Sequence, residues 1–523
     1  MAGRPDRVPL VACAGALLAA TLGLLCAPFH EVLREDALLY LEQAGALRAG
    51  DWTAQTHPSG WPLLLAGALE LLPVSTRAAG MPVARAVSVL LLAACAFPVA
   101  ALARRIAGGR AAVLAVLALA TCPTLIWLGG IAYADPLFLL LATTSVAWAA
   151  DSEGRLQPLL GAATLASLAW WTKANAVLLL PALLAYAVLV RRRAGLPLLP
   201  VAWVALVFVA VSLPHLVLRA QAFGSPFSYG ENSKFFVDEY AQVWQASVPV
   251  PSLGDYLSSH TPAQWLHKFI VRGALRVGYY FVLELGLLWM PLLVVGLWAW
   301  ARRGRNAPDL RLPVLVVASL LLGLVPAFDI FGDPRYMAHP LPFVFVIGAA
   351  GFTALAAASP RAPRLLLALC VLLVAQVPVA LLRDQLRLRA EAPWQTPRVR
   401  DEWARWTVRH LPPPVAILEG GELLELAWDE ARESGELPAD APPAYVTRRP
   451  VFGTDLAGAL ADLQRGGVDH LLVDSRSLGR LPYLRELHDP RRAEHVELVA
   501  SFTSTPEQGW LLRDMEVFRI RRR

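Results

Sequence analysis

Residues 34–61 read REDALLYLEQAGALRAGDWTAQTHPSGW, and this stretch follows directly on an apolar run at 8–27 long enough to cross a bilayer. Acidic and aromatic side chains set just beyond a first membrane span place Asp36 at a membrane surface, where it can act on a lipid-borne substrate. Glu35 and Asp36 open a short segment whose apolar positions, Leu38, Leu39, Leu41 and Ala44, suit a helix lying against the membrane. An acid at a helix start also serves simply as a cap, because the helix dipole favours a carboxylate there.

Outward from this stretch the chain keeps the same character. It is 56% hydrophobic and 17% charged, and its apolar residues come in blocks of about twenty, the length that spans a hydrocarbon core as a helix. Hydropathy places spans near 8–27, 83–103, 111–128, 135–150, 158–171, 175–190, 197–218, 279–300, 312–328, 337–358 and 364–382, about eleven in all. The run 62–72 is too short to cross and is expected to lie in the interface or to re-enter. Basic residues (Arg4 and Arg7, Arg104, Arg105 and Arg110, Arg155, Arg191 to Arg193, Arg302, Arg303 and Arg305, Arg361 and Arg364) fall in alternate loops. Held on the cytoplasmic side, they give one topology, with a cytoplasmic N-terminus and an exported tail. The loops 28–82, 129–134, 172–174, 219–278 and 329–336 then share the outer face. The net charge of +6 follows from this bias, so no nucleic-acid partner is implied.

The reading divides the chain into a membrane domain at 1–382, with outer loops 28–82 and 219–278, and an extracytoplasmic α/β domain at 383–523. In the latter, helices are expected at 399–410, 422–434 and 455–465, and strands at VAILEG, HLLVD, 496–502 and 510–520. The five cysteines, Cys13, Cys26, Cys95, Cys122 and Cys370, all lie in or beside apolar spans, so neither a disulfide framework nor a thiolate metal site is indicated. Nor is an internal repeat visible.

Several further residues share the outer face with Asp36. Asp135, in Tyr133-Ala134-Asp135-Pro136, precedes a span and also fits a helix cap followed by Pro. Lys173 sits in a tight turn between Trp171 and Asn175, where an ammonium must snorkel or pair, and a bound phosphate would serve as partner. Arg335 and Tyr336 in GDPRYMAHP recur at that level, His57 before Pro58 is another phosphate candidate, and Glu284 lies inside a span near its outer end. Two carboxylates, Asp36 and Asp135, could divide the work, one taking a proton while the other holds the acceptor or a divalent cation, for which either is a candidate ligand. Cations beside them suit a leaving phosphate. A proton-coupled transporter or lipid-sugar flippase would display the same inventory. It would, however, carry its charges deep in several spans, as alternating-access sites do. A scaffold without chemistry is the third reading, and indifference to loss of Asp36 would mark it.

At these residues the chain resembles the membrane glycosyltransferases of the C-type superfamily, especially bacterial relatives of protein O-mannosyltransferases and of the lipid A aminoarabinose transferase. The resemblance rests on Asp36, Tyr40, Gly50-Asp51 and His57-Pro58-Ser59-Gly60-Trp61-Pro62. It continues through Tyr133-Ala134-Asp135-Pro136-Leu137, Thr172-Lys173 and Arg335-Tyr336, and so covers the whole membrane region. It implies inverting transfer of a sugar from a polyprenyl-phosphate donor to a glycan, lipid or protein acceptor at the outer face of the inner membrane. Asp36 would be the base or acceptor-orienting acid, with Asp135 supporting it or binding a divalent ion. Lys173, Arg335 and His57 would hold the donor phosphate. His57 stands where some relatives carry Lys, and a neutral imidazole holds phosphate less firmly.

Overall fold

A computed structural model of the chain describes residues 8–26, 35–53, 57–72, 74, 77–227, 236–238, 252–303, 309–331, 333–357, 361–391, 397–418, 421–438, 441–442, 445–448, 455–474, 481–489, 496–502 and 515–521. The apolar blocks form helices that pack on one another through a large shared core. In chain order these are α1 (Val8–Cys26), α2 (Glu35–Arg48), α3 (Gly60–Leu71), α4 (Arg77–Ala94), α5 (Ala96–Ala107), α6 (Gly109–Thr121) and α7 (Pro123–Gly130). Then follow α8 (Asp135–Ala150), α9 (Leu156–Thr172), α10 (Leu179–Arg193), α11 (Val201–Phe223), α12 (Leu253–Ser259) and α13 (Pro262–Leu266). The last of this part are α14 (Gly273–Arg303), α15 (Arg311–Leu324), α16 (Phe328–Phe331), α17 (Leu341–Ala357) and α18 (Ala362–Glu391).

Breaks in the helices have local causes. Between α6 and α7 the axis turns by 52°, where Pro123 opens α7 and has no N–H to continue the ladder of α6. Gly286 takes φ 57° inside α14, a left-handed conformation that only glycine adopts at little cost. The 12-residue α3 occupies the run read as too short to span.

By length and hydropathy five helical stretches can cross a membrane, 9–26, 79–107, 174–193, 201–223 and 363–380, or seven if two bent pairs each count as one. The other four expected spans are also helices, but shorter: α8 has 16 residues, α9 17, α15 14 and α17 17. Their apolar runs stop early because each ends at, or close to, the loops 131–135, 172–175 and 325–340.

The tail forms a five-stranded sheet in the order β2-β1-β3-β5-β4, with β1 at Val415–Ile417, β2 at Thr447–Arg448, β3 at His470–Asp474, β4 at Val496–Phe502 and β5 at Met515–Ile520. β1 pairs in parallel with β2 and β3, while β5 runs antiparallel to both β3 and β4. The helix α19 (Pro397–His410) leads into β1, while α20 (Gly421–Glu433) connects β1 to β2 and α21 (Leu456–Arg465) connects β2 to β3. Every residue of β3 is buried, as a central strand covered on both faces requires. The two-residue β2 and the 3-10 turn Pro482–His488 escape sequence reading because they carry no periodic pattern. Of the late strand expected at 510–520, residues 510–514 lie outside the described residues.

The tail packs back onto the helical body, α20 resting on α2 and α4. Leu426 of α20 joins the main apolar core. The sheet domain thus sits on the same side of the body as Asp36.

Candidate active site

The N-terminal turn of α2 carries Asp36, and one turn later Tyr40 lies beneath it on the same face, as a four-residue spacing demands. The loop before α3 is tied to this helix by Gln43, whose Nε2 donates to the His57 carbonyl at 3.1 Å while its Oε1 accepts from the His57 N–H at 3.1 Å. Held this way, the His57 ring rests on Tyr40 with centroids 4.6 Å apart, and its Nε2 stands 3.9 Å from Asp36 Oδ1.

The other Asp36 oxygen accepts from Arg335, whose Nη1 donates to Oδ2 at 2.8 Å. Arg335 belongs to the 3-10 turn Pro334–Ala338, which Asp333 opens by accepting from the Arg335 N–H at 2.9 Å. Asp333 Oδ2 also lies 3.0 Å from Arg335 Nε. The guanidinium is sandwiched between aromatic faces, 4.9 Å from the Tyr133 centroid and 5.4 Å from that of Tyr336. Burial raises the pKa of Asp36, but the charges of Arg335 and His57 outweigh it and hold the carboxyl below its usual range.

A second cluster adjoins the first. Asp135 begins α8 with Ala134 in the capping position, so the carboxylate is not spent on capping as Asp-Pro suggested. It faces Lys173, whose Nζ lies 3.0 Å from Oδ2, and His339, whose Nε2 donates to Oδ1 at 2.7 Å. His339 Nδ1 is in turn 2.7 Å from Asn175 Nδ2. Asp135 and His339 are wholly buried, and Lys173 almost so. Lys173 also approaches the Tyr336 ring at 5.7 Å, and Tyr40 meets Tyr133 edge-on at 6.2 Å. Tyr133 and Tyr336 therefore join the two clusters into one site.

The loops bearing these groups are braced by close backbone contacts. Trp61 of α3, fully buried, donates its indole N–H to the Ala132 carbonyl at 3.1 Å. Ala132 holds φ 59°, a left-handed setting that costs a non-glycine residue about 1 kcal/mol or more. Gly60 brings α3 against the turn before Lys173: a Cβ there would come within 2.9 Å of the Trp171 backbone and 2.7 Å of Thr172 Cγ2. Gly60→Ala is expected to push the Lys173 turn away and to destabilise the fold by about 1–3 kcal/mol with no charge changed. The check is the melting temperature of this variant set beside that of the control Gly45→Ala, where an added Cβ meets nothing within 4 Å.

Of the residues singled out in the sequence, Asp36, Asp135, Lys173, Arg335, Tyr336 and His57 converge here. The side chain of Glu35 lies outside the described residues. Glu284, on α14, accepts a hydrogen bond from Thr124 at the start of α7. His339 and Asn175 were missed as site residues, although both stood inside quoted motifs. No local spacing marks them, because their partners are 204 and 164 residues away in the chain. Among the described residues no group of three His, Cys, Asp or Glu side chains is placed to hold a metal ion. Asp36 and Asp135 each face a cation, Arg335 and Lys173 respectively.

The fold has counterparts among solved structures. The crystal structure of ArnT from Cupriavidus metallidurans bound to undecaprenyl phosphate superposes with a TM-score of 0.60 at 13% identity, covering 97% of both chains. The two chains share one fold over nearly their whole length. The Archaeoglobus fulgidus oligosaccharyltransferase tethered to an acceptor peptide superposes with a TM-score of 0.58 at 13% identity, over 96% of this chain and 73% of that one. The archaeal oligosaccharyltransferase AglB from Archaeoglobus fulgidus, in complex with an inhibitory peptide and a dolichol phosphate, gives 0.57 at 10% identity, over 95% of this chain and 73% of that one. In sequence, the family model described as dolichyl-phosphate-mannose-protein mannosyltransferase matches residues 56–217, a segment that contains His57, Asp135 and Lys173. No curated protein matches the sequence. The structural similarity runs through the tail as well as the helical body, since nearly the whole chain is covered.

Proposed function

We propose that the protein transfers a sugar, with inversion, from a polyprenyl-phosphate-linked donor to an acceptor at the outer face of the inner membrane. The observation that carries this reading is one site in which two carboxylates, Asp36 and Asp135, meet Arg335, Lys173 and His57. Lys173 and Arg335 are suited to a phosphate leaving group, whose developing charge they stabilise in a site largely closed to water. Asp36, with 27% of its side chain exposed, is the carboxylate an acceptor can reach. It takes the proton of the attacking hydroxyl or amine as that group bonds to the sugar carbon and the carbon–phosphate-oxygen bond breaks on the opposite face.

In the substrate-free protein Arg335 neutralises Asp36, and a carboxylate held so low is a weak base. A donor phosphate competes for the guanidinium, and Asp36 recovers basicity as Arg335 turns to the phosphate. Proton acceptance thereby follows donor binding.

The short helices support a recessed site. At about 1.5 Å per residue, 14 to 17 residues rise about 21–26 Å, less than the roughly 30 Å hydrocarbon core. In the proposed arrangement all eleven helices or helix pairs cross, with the N-terminus cytoplasmic. Those that end at the site stop below the outer surface, where the polar end of a lipid carrier would lie. The α/β tail, seated on α2 and α4, then roofs the side from which an acceptor approaches.

The test is sugar release from radiolabelled polyprenyl-phosphate sugars by purified wild type and Asp36→Asn in detergent, with membrane extract as acceptor. Release by wild type alone is expected. Equal release by both removes Asp36 from the chemistry, and none from either, with substrate movement in a liposome assay, favours a carrier.

A further inference from the structure

We propose that His339 is a positioning residue for donor phosphate, acting through Asp135 to aim the Lys173 ammonium; the inference rests on the transferase reading above. Its basis is a continuous chain of contacts across three separate parts of the fold. The Asn175 amide N–H donates to His339 Nδ1 at 2.7 Å, which makes that nitrogen the acceptor and leaves the proton on Nε2. His339 Nε2–H then donates to Asp135 Oδ1 at 2.7 Å, and the opposite oxygen, Oδ2, faces Lys173 Nζ at 3.0 Å.

Each member fixes the next. Asn175 selects the imidazole tautomer, and Phe138 one turn into α8 lies against the ring with centroids 4.4 Å apart, so the ring cannot rotate away. The tilt of the Asp135 carboxylate is set in turn by a neutral donor, which leaves its full negative charge for Lys173. A second cation at His339 would have divided that charge. The ammonium is therefore held at the Tyr336 edge of the site, beside Arg335, the other candidate for the phosphate. Asp135, in this assignment, acts as an anchor for a cation rather than as a proton acceptor.

A hydrogen-bonded network of this kind loses its aim when one link is removed. Losing the donor to a buried carboxylate costs enough to change an affinity about tenfold. The experiment titrates purified protein in lipid nanodiscs with undecaprenyl phosphate, and measures KM and kcat for sugar release alongside. His339→Ala is expected to raise the Kd and the donor KM about tenfold, with kcat at saturating donor within about threefold of wild type. His339→Gln, whose amide N–H reaches the place of Nε2–H, is expected to restore most of the affinity, which also shows that loss of fold is not the cause. In a Lys173→Gln background the His339→Ala change should add little, because the two act in series.

Unchanged affinity in His339→Ala, or an effect that adds in full to Lys173→Gln, overturns the positioning role while leaving the transferase reading in place. A fall in kcat alone overturns it as well, since that would put His339 in the chemical step. If wild type itself fails to bind undecaprenyl phosphate, the transferase reading and the assignment of His339 fall together.

Discussion

Asp36→Asn will leave a folded protein that no longer transfers sugar, with single-turnover rates down by about 10²–10⁴, the range for losing a general base. Size is conserved, and Arg335 keeps Asp333 at 3.0 Å as a second carboxylate partner, so the fold is kept at neutral pH and the thermal midpoint falls only by the share the Asp36 pairing contributes. Binding of polyprenyl phosphate should be undiminished or tighter, because the carboxylate that competes with phosphate for Arg335 is gone. A loss of affinity in place of a loss of rate would assign Asp36 to substrate holding.

The pH dependence of the same pair has a definite sign. The folded pKa of Asp36 is lowered, so its pairing contributes stability that is fully present above the unfolded carboxylate pKa, about 3.9, and is lost as pH falls through the lower folded value. The difference in melting temperature between wild type and Asp36→Asn is therefore expected to be flat from pH 7 down to about 4, narrowing only below that. A difference that instead opens as pH falls through about 6.5, where an imidazole gains its charge, would mean that His57, not Arg335, supplies the dominant partner charge.

The second large effect is expected from Lys173→Ala, and it should be felt in stability as well as donor use. Asp135 is completely buried, and removing the ammonium 3.0 Å away takes its ion-pair partner and leaves the neutral His339 imidazole as its hydrogen-bond donor. Breaking such a pair typically costs about 3–5 kcal/mol. Scanning fluorimetry in detergent should show a clear fall in melting temperature, accompanied by a weakened response to donor and some residual turnover from Arg335. The double change Lys173→Met with Asp135→Asn removes both charges. It should recover most of the melting temperature and none of the donor affinity, which separates the structural share of Lys173 from its share in binding. Recovery of affinity in the double variant would show that Lys173 serves only to neutralise Asp135.

How far the sequence reaches differs between the fold and the site. Apolar blocks of fixed length are a strong local signal, because a helix in lipid must satisfy its own backbone and present apolar side chains all round. Each block read as a span is accordingly a helix or bent helix pair, and the short apolar runs at HLLVD and VAILEG yield strands. Asp36, Asp135, Lys173 and Arg335 could be nominated because an ionisable group at membrane depth is costly without a purpose.

What no local pattern contains is who faces whom. Arg335 reaches Asp36 across 299 residues, and His339 reaches Asp135 across 204. Only packing of α2, α3, α8 and the turn before α17 makes those neighbours. The same packing decided that Glu284 is paired with Thr124, that the Asp135 carboxylate turns to Lys173 and His339, and that α20 seats the tail on α2 and α4. Sequence by itself determined the helical membrane body, the α/β tail and the inventory of charges, since these depend on local periodicity and composition. The tertiary structure alone decided the pairing of those charges, because electrostatic partnership in a buried site depends on distance in space and on which side chains exclude water around it.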